Sequence, residues 1–292
     1  MLGWPVRRPR AVRLAAERCV RTSVVRDPRN GPAYDLPPPP AEGMRTWILA
    51  SVPRSGSTLL CRMLWETGGA GAPKEYLNPA QIRDWEVRLG ESLWVRARHR
   101  ALVGPLTVLA GRGRWDDCRL AAYLSRLRSR RSTSEGWFGL KLHYHHFRRF
   151  FLEPGRSVER FLGPTRWVAI RRRDRLAQAV SWARALQSGR WASHQRPRWP
   201  AVYCRPQIEW LQRRIVEQES GWERYFERER IEPLRLEYED LAADPEAAVR
   251  RVLRFLGLER AETMAVARPP IRRQADERSA RWIARYRARA TA

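Results

Sequence analysis

One stretch limits the folds open to this chain more than any other: Thr46 to Leu64, T-W-I-L-A-S-V-P-R-S-G-S-T-L-L-C-R-M-L. It predicts a buried strand over Trp47 to Ala50, a tight turn over Pro53 to Gly56, and a helix that starts at Ser57. A strand that turns through glycine into a helix N-terminus builds an anion site. The N–H groups of the first helical turn have no partner in the helix, and the helix dipole favours negative charge there. Gly56 lets the backbone pass close to a ligand, Ser55, Ser57 and Thr58 bring hydroxyls, and Arg54 brings a permanent positive charge.

Three further apolar runs follow: Trp137 to Leu142, Thr165 to Ile170, and Pro233 to Tyr238. Longer helical patterns lie between or after them, over 176–186, 206–230 and from the Asp244 cap to Gly257. Short strands alternating with helices predict an α/β fold, a P-loop-like parallel sheet flanked by helices on both faces. In such sheets ligands bind at the carboxyl ends of the strands. Three strand ends here carry chemistry: Arg54 to Thr58, Lys141 to His143, and Arg171 to Arg173. The loop G-A-P-K-E-Y-L-N-P after the first helix sets Lys74 and Glu75 among turn formers and reads as functional. Residues 1–43, closing on Pro37 to Pro40, read as a mobile lead-in. The domain then spans 44–292.

Composition narrows the chemistry. The formal charge is +26, and Lys74 and Lys141 are the only lysines among the basic residues. Such an excess draws polyanions, yet it is spread along the chain with no helix-turn-helix, zinc-finger or RNA-binding signature, so no specific nucleic-acid partner is expected. No apolar run reaches the roughly 18 residues of a membrane span, and the N-terminus lacks a secretory apolar core. The four cysteines show no C-x-x-C spacing, which argues against a disulfide framework or structural zinc and fits the cytoplasm. His145 and His146 have no carboxylate at ligand spacing, so no metal is expected.

The turn is not a triphosphate loop. G-x-x-x-x-G-K-[ST] is absent, and no strand-end Asp offers itself for Mg²⁺. P-R-S-G-S-T-L-L after a strand resembles the 5′-phosphosulfate loop of the sulfotransferases. Arg173 with Ser181 eight residues on, in R-D-R-L-A-Q-A-V-S, resembles their 3′-phosphate segment. G-A-P-K-E-Y-L-N-P, F-G-L-K-L-H-Y-H, L-E-Y-E-D-L-A-A-D-P and R-R-Q-A-D-E-R-S-A-R-W occur in the order found in the bacterial trehalose 2-sulfotransferase-like family. The resemblance covers about residues 45–287.

It implies an enzyme that moves a sulfuryl group from 3′-phosphoadenosine 5′-phosphosulfate to a hydroxyl of a carbohydrate, glycoside or glycolipid. No metal is needed, and the family dimerises. Arg54, Ser55, Gly56, Ser57 and Thr58 would hold the 5′-phosphosulfate. Arg173 and Ser181 would hold the 3′-phosphate, with Arg273 as a further contact by resemblance only. Sulfuryl transfer is an in-line displacement that needs a base for the attacking hydroxyl and cations for the developing charge. Glu75 matches the family's general base; the alternative on bare sequence is a loop ion pair with Lys74. His143 in L-K-L-H resembles the K-x-H of cytosolic animal sulfotransferases, where the histidine is the base, and stands as the alternative. Lys141, two residues from His143 on one strand face, or Arg54 would neutralise charge. A P-loop-type kinase of a small hydroxylated substrate and a basic nucleic-acid-binding module remain as rival readings.

Overall fold

The computed structural model describes residues 27–89, 115–152, 156–192, 195–258, 261–267 and 276–288. They fall into two compact units. One comprises 27–174 with 215–267 and holds the sheet; the other, 175–214 with 276–288, is helical.

The elements run β1 (Arg45–Ser51), α1 (Ser57–Glu66), α2 (Pro79–Arg88), α3 (Asp117–Arg131), β2 (Trp137–His143), α4 (Tyr144–Phe151), α5 (Val158–Leu162), β3 (Thr165–Arg171), α6 (Arg175–Ser188), α7 (Arg205–Glu229), β4 (Leu234–Glu237), α8 (Tyr238–Ala243), α9 (Pro245–Phe255) and α10 (Glu277–Ala288). The sheet order is β2-β1-β3-β4 and every pairing is parallel. This is the α/β architecture read from the sequence, with β1 in the interior. Alternate residues of each strand face opposite helical layers. Trp47, Leu49, Val168 and Ile170 join a core with Leu60 and Leu64 of α1 and Val249 and Leu253 of α9. Trp167 points the other way, its ring 5.8 Å from Trp222 and 5.7 Å from Phe226 of α7. Burial on both faces is why the strands read as continuous apolar runs. Trp222 also donates its Nε1–H to the Ser51 carbonyl at 3.0 Å, which fixes α7 to the carboxyl end of β1.

The loop between α1 and α2 lies along the outer edge of β2. Lys74 bridges Leu140 in parallel, and the Lys141 N–H donates to the Lys74 carbonyl at 3.0 Å. Two glycines permit this approach. Gly71 has φ +73°, and a Cβ there would sit 2.5 Å from the Trp137 carbonyl oxygen; a Cβ on Gly139 would sit 2.9 Å from Pro73. Tyr76, fully buried, stacks on Phe138 and meets the Trp85 ring edge-on, so the loop is anchored just past Glu75.

Of the expected lead-in, the structure describes the part from Asp27. From Asp27 onward it packs on the sheet unit. Asn30 donates to Gln81 at 3.0 Å, and Lys74 pairs with Asp27 at 2.9 Å. Arg131, fully buried beneath Trp65 and Trp85, donates to the Tyr34 carbonyl at 2.6 Å. A buried guanidinium needs such partners, and this segment supplies them. In the helical unit α6 packs on α10, held by the fork of Arg184 on Asp276 at 2.5 and 2.7 Å.

Candidate active site

The turn after β1 has the backbone of an anion cradle. Arg54 (φ +67°) and Gly56 (φ +84°) are both left-handed, flanking Ser55, an alternation that turns consecutive N–H groups into one concavity. Gly56 is the residue before α1, and among the described residues no side chain caps that helix. The Leu59 N–H turns back to the Gly56 carbonyl at 2.9 Å, while those of Ser57 and Thr58 have no side-chain cap among the described residues and face where a ligand would bind. A Cβ at position 56 would lie 2.4 Å from Tyr238 Cδ2, so a side chain is excluded there on two counts. Ser55 Oγ is fully buried and has no hydrogen-bond partner among the described residues. Ser57 is buried and Thr58 exposed.

Glu75 is brought to this turn by the β2-edge loop. Its Oε1 meets Lys141 Nζ at 2.6 Å and His143 Nε2 at 3.2 Å, and its Oε2 accepts from Asn78 Nδ2 at 2.8 Å. Lys141 Nζ also donates to Thr58 Oγ1 at 2.8 Å, so one ammonium joins the carboxylate to the anion turn. The Lys74–Glu75 ion pair does not form. Lys74 turns to Asp27, because consecutive residues bound along a strand edge point opposite ways. Burial alone would raise the Glu75 carboxyl; Lys141, helped by His143, outweighs it and holds the group well below the ordinary carboxylate range.

Exposure separates the two candidate bases. The Glu75 side chain is 22% exposed and His143 only 7%. Both ring nitrogens of His143 are engaged, Nδ1 lying 2.9 Å from Ser51 Oγ. Burial pushes His143 down from its usual value, against the pull of Glu75, which favours a neutral ring. His146 of α4 is also buried, its ring 5.9 Å from that of His143 and its Nδ1 without a partner among the described residues. Burial, then His145, drive it well below the ordinary histidine value.

At the end of β3 the three arginines diverge. Arg171 pairs outward with Glu237 at 2.6 Å. Arg172 lies inward, its guanidinium 4.7 Å over the Tyr238 ring, the same ring that closes on Gly56. Arg173 is mostly exposed, with its Nη2 on Asp240 Oδ1 at 2.8 Å. Glu239 ties the turn down, accepting from the N–H of Arg173 at 3.1 Å and of Asp174 at 3.3 Å. Burial would raise the Glu239 carboxyl; these backbone bonds, with Arg172 beside it, lower it. Ser181 is half-buried on α6 of the helical unit, and Arg273 lies outside the described residues. The structure thus gathers Arg54, Ser55, Gly56, Ser57, Thr58, Glu75, Lys141 and His143 at one end of the sheet. Sequence reasoning missed Ser51, Asn78 and Tyr238 and left Arg172 undecided. The three missed residues act through contacts between segments far apart in sequence or through a turn, and only Asn78 left a signal, as an Asn before Pro at a helix start.

Residues 46–289 match the family model described as Stf0 sulphotransferase. The chain is 30% identical over 271 residues to a trehalose 2-sulfotransferase of Mycobacterium tuberculosis (strain Erdman), covering 86% of this chain and 97% of that protein. It is 30% identical over 261 residues to a trehalose 2-sulfotransferase of Mycolicibacterium smegmatis, covering 82% and 93%. Among solved structures, the sulfotransferase domain from the Synechococcus PCC 7002 olefin synthase aligns loosely, with 17% identity and a TM-score of 0.40 over 86% of this chain and 98% of that one.

Proposed function

The chain belongs to the Stf0 sulphotransferase family and is a sulfotransferase; from that premise we propose that it transfers sulfuryl from 3′-phosphoadenosine 5′-phosphosulfate to a hydroxyl of a carbohydrate such as a trehalose-like disaccharide, with Glu75 as general base. The observation that carries this reading is the Lys141 ammonium shared between Thr58 of the anion turn and the Glu75 carboxylate. A base and a charge-neutralising cation meet beside a phosphate cradle, which is what in-line sulfuryl transfer requires. The Ser55 hydroxyl, without a partner among the described residues, and the uncapped N–H groups of Ser57 and Thr58 suit an anionic donor oxygen.

When bound, the donor supplies an electrophilic sulfur and a phosphate leaving group. Residues 54–58 hold the phosphosulfate by backbone N–H and hydroxyl donors. Glu75 takes the acceptor proton as the acceptor oxygen bonds to sulfur and the bond from sulfur to the 5′-phosphate breaks. Lys141, already at the turn, offsets charge on the transferred group. His143, neutral and engaged at both nitrogens, orients Glu75 and contacts the acceptor. Arg173, Ser181 and Arg273 are assigned to the 3′-phosphate, and Arg172 above Tyr238 joins them. The carbohydrate acceptor rests on the two relatives' named activity. We also propose a cytoplasmic homodimer without a metal requirement, which size-exclusion chromatography and assays with chelator test.

Transfer of labelled sulfate to a panel of disaccharides and glycolipids tests the reaction. The decisive variant is Glu75→Gln. It is expected to bind adenosine 3′,5′-bisphosphate within about twofold of wild type by calorimetry while turnover falls by 10² or more, the scale of a lost general base. Full turnover by Glu75→Gln would remove Glu75 from this role.

A further inference from the structure

Asn78 closes the loop that carries Glu75. Its N–H donates to the Glu75 carbonyl at 3.0 Å, so residues 75–78 form one turn. Its side chain also caps α2, with Oδ1 accepting from the Ala80 N–H at 3.0 Å. That use of the oxygen fixes which end of the amide is which. Nδ2 is left facing Glu75 and donates to Oε2 at 2.8 Å.

The acceptor sites on Glu75 can then be counted. A carboxylate offers about four lone-pair positions. Lys141 and His143 occupy Oε1, and Asn78 occupies one position on Oε2. Among the described residues nothing else meets Oε2, which leaves one position on it for a substrate. We propose that Asn78 is a positioning residue for the transfer reaction: by holding Oε2 from one side, it turns the remaining lone pair of Glu75 toward the acceptor hydroxyl. The inference rests on Glu75 being the base. As the acceptor oxygen bonds to sulfur and the bond from sulfur to the 5′-phosphate breaks, its proton passes to that open position. The Asn78 amide stays bonded throughout and takes up no proton.

The double use of Asn78 allows its two roles to be separated. Asn78→Asp keeps an oxygen for the cap, so α2 is retained, but it offers no N–H and sets a second negative charge beside Glu75. Asn78→Ser also caps and is too short to reach Glu75. The ionisable groups facing Glu75 are Lys141 and His143 of β2, His146 of α4 and Cys61 of α1. Both variants are expected to melt within a few degrees of wild type and to bind adenosine 3′,5′-bisphosphate within about twofold. Their kcat should fall at least about tenfold, as expected for a misdirected reacting group. In Asn78→Asp the acid limb of the kcat/KM profile should also move to higher pH, since a like charge favours protonated Glu75. Wild-type kcat in either folded variant, or an unmoved acid limb in a folded Asn78→Asp, overturns the inference and leaves Asn78 a helix cap. Glu75→Gln run in parallel separates the two levels. If it is active, the base assignment falls and this inference with it. If it is inactive while Asn78→Ser is normal, only this inference falls.

Discussion

Lys141 is the residue on which the site's electrostatics turn. It is buried, it contacts both Glu75 and Thr58, and its charge counters the desolvation of the carboxylate. Replacing it with methionine keeps the stem and deletes the charge. Burial then dominates, so Glu75 is expected to hold its proton to higher pH. The sign follows directly. In the wild type, the folded-state value of Glu75 lies below its unfolded value, so its stabilisation is present above the ordinary carboxylate range and is lost as pH falls through the lower folded value. In Lys141→Met that stabilisation disappears. Urea unfolding between pH 4 and 7 should show the variant losing its advantage at neutral pH, and its kcat/KM profile should have an acid limb shifted upward. An unchanged limb would mean that Lys141 does not set the charge of Glu75. Much at this scale was legible. The turn residues 54–58 and the pairing of Lys141 with His143 follow from local spacing. The partner of Glu75 did not, because Lys74 is adjacent in sequence and Lys141 is near only in space.

At the scale of elements, the four strands and the helix starts at Ser57 and Pro245 agree with the sequence to within a few residues, because each is set by local pattern and capping chemistry. The segment from Asp27 to Gly43 is less legible for the opposite reason. Its prolines suggest an unstructured lead-in, but its order comes from α3, where Arg131 spans nearly a hundred residues of sequence to reach Gly31 and Tyr34. Arg131→Met would leave those carbonyls and Asp35 without their buried partner. The expected cost is about 3 kcal/mol, as for breaking a buried ion pair. It can be checked by urea titration, with limited proteolysis showing faster cleavage within 27–43. Cleavage unchanged from wild type would show the segment is held by other contacts.

For the molecule as a whole, a charge of +26 carried almost entirely by arginine suits the multiply charged donor proposed above. The excess is diffuse, so its effect should appear in encounter and little in specificity. Association of adenosine 3′,5′-bisphosphate, followed by stopped flow, is expected to slow about tenfold between low and near-molar salt as the Debye length shrinks from roughly 10 to 3 Å, with a smaller change in dissociation. A salt-independent association rate would assign the charge no part in donor capture. The sequence could show the size of this excess, though not how much of it is spent internally. Asp240, Glu239, Glu237 and Asp276 each hold arginines near the strand ends or on α6.

The contact between the 70–75 loop and β2 has a consequence for reading mutational scans. Glu75 is delivered by a seam in which Gly71 and Gly139 let the loop lie close against β2. A methyl group at either glycine would push the loop away from the sheet and carry Glu75 out of reach of Lys141. Such substitutions would register as lost turnover in a protein that still folds and still holds its donor. A scan of this enzyme would then mark as essential two positions with no side chain to take part in the reaction, and their value lies in the space they leave empty.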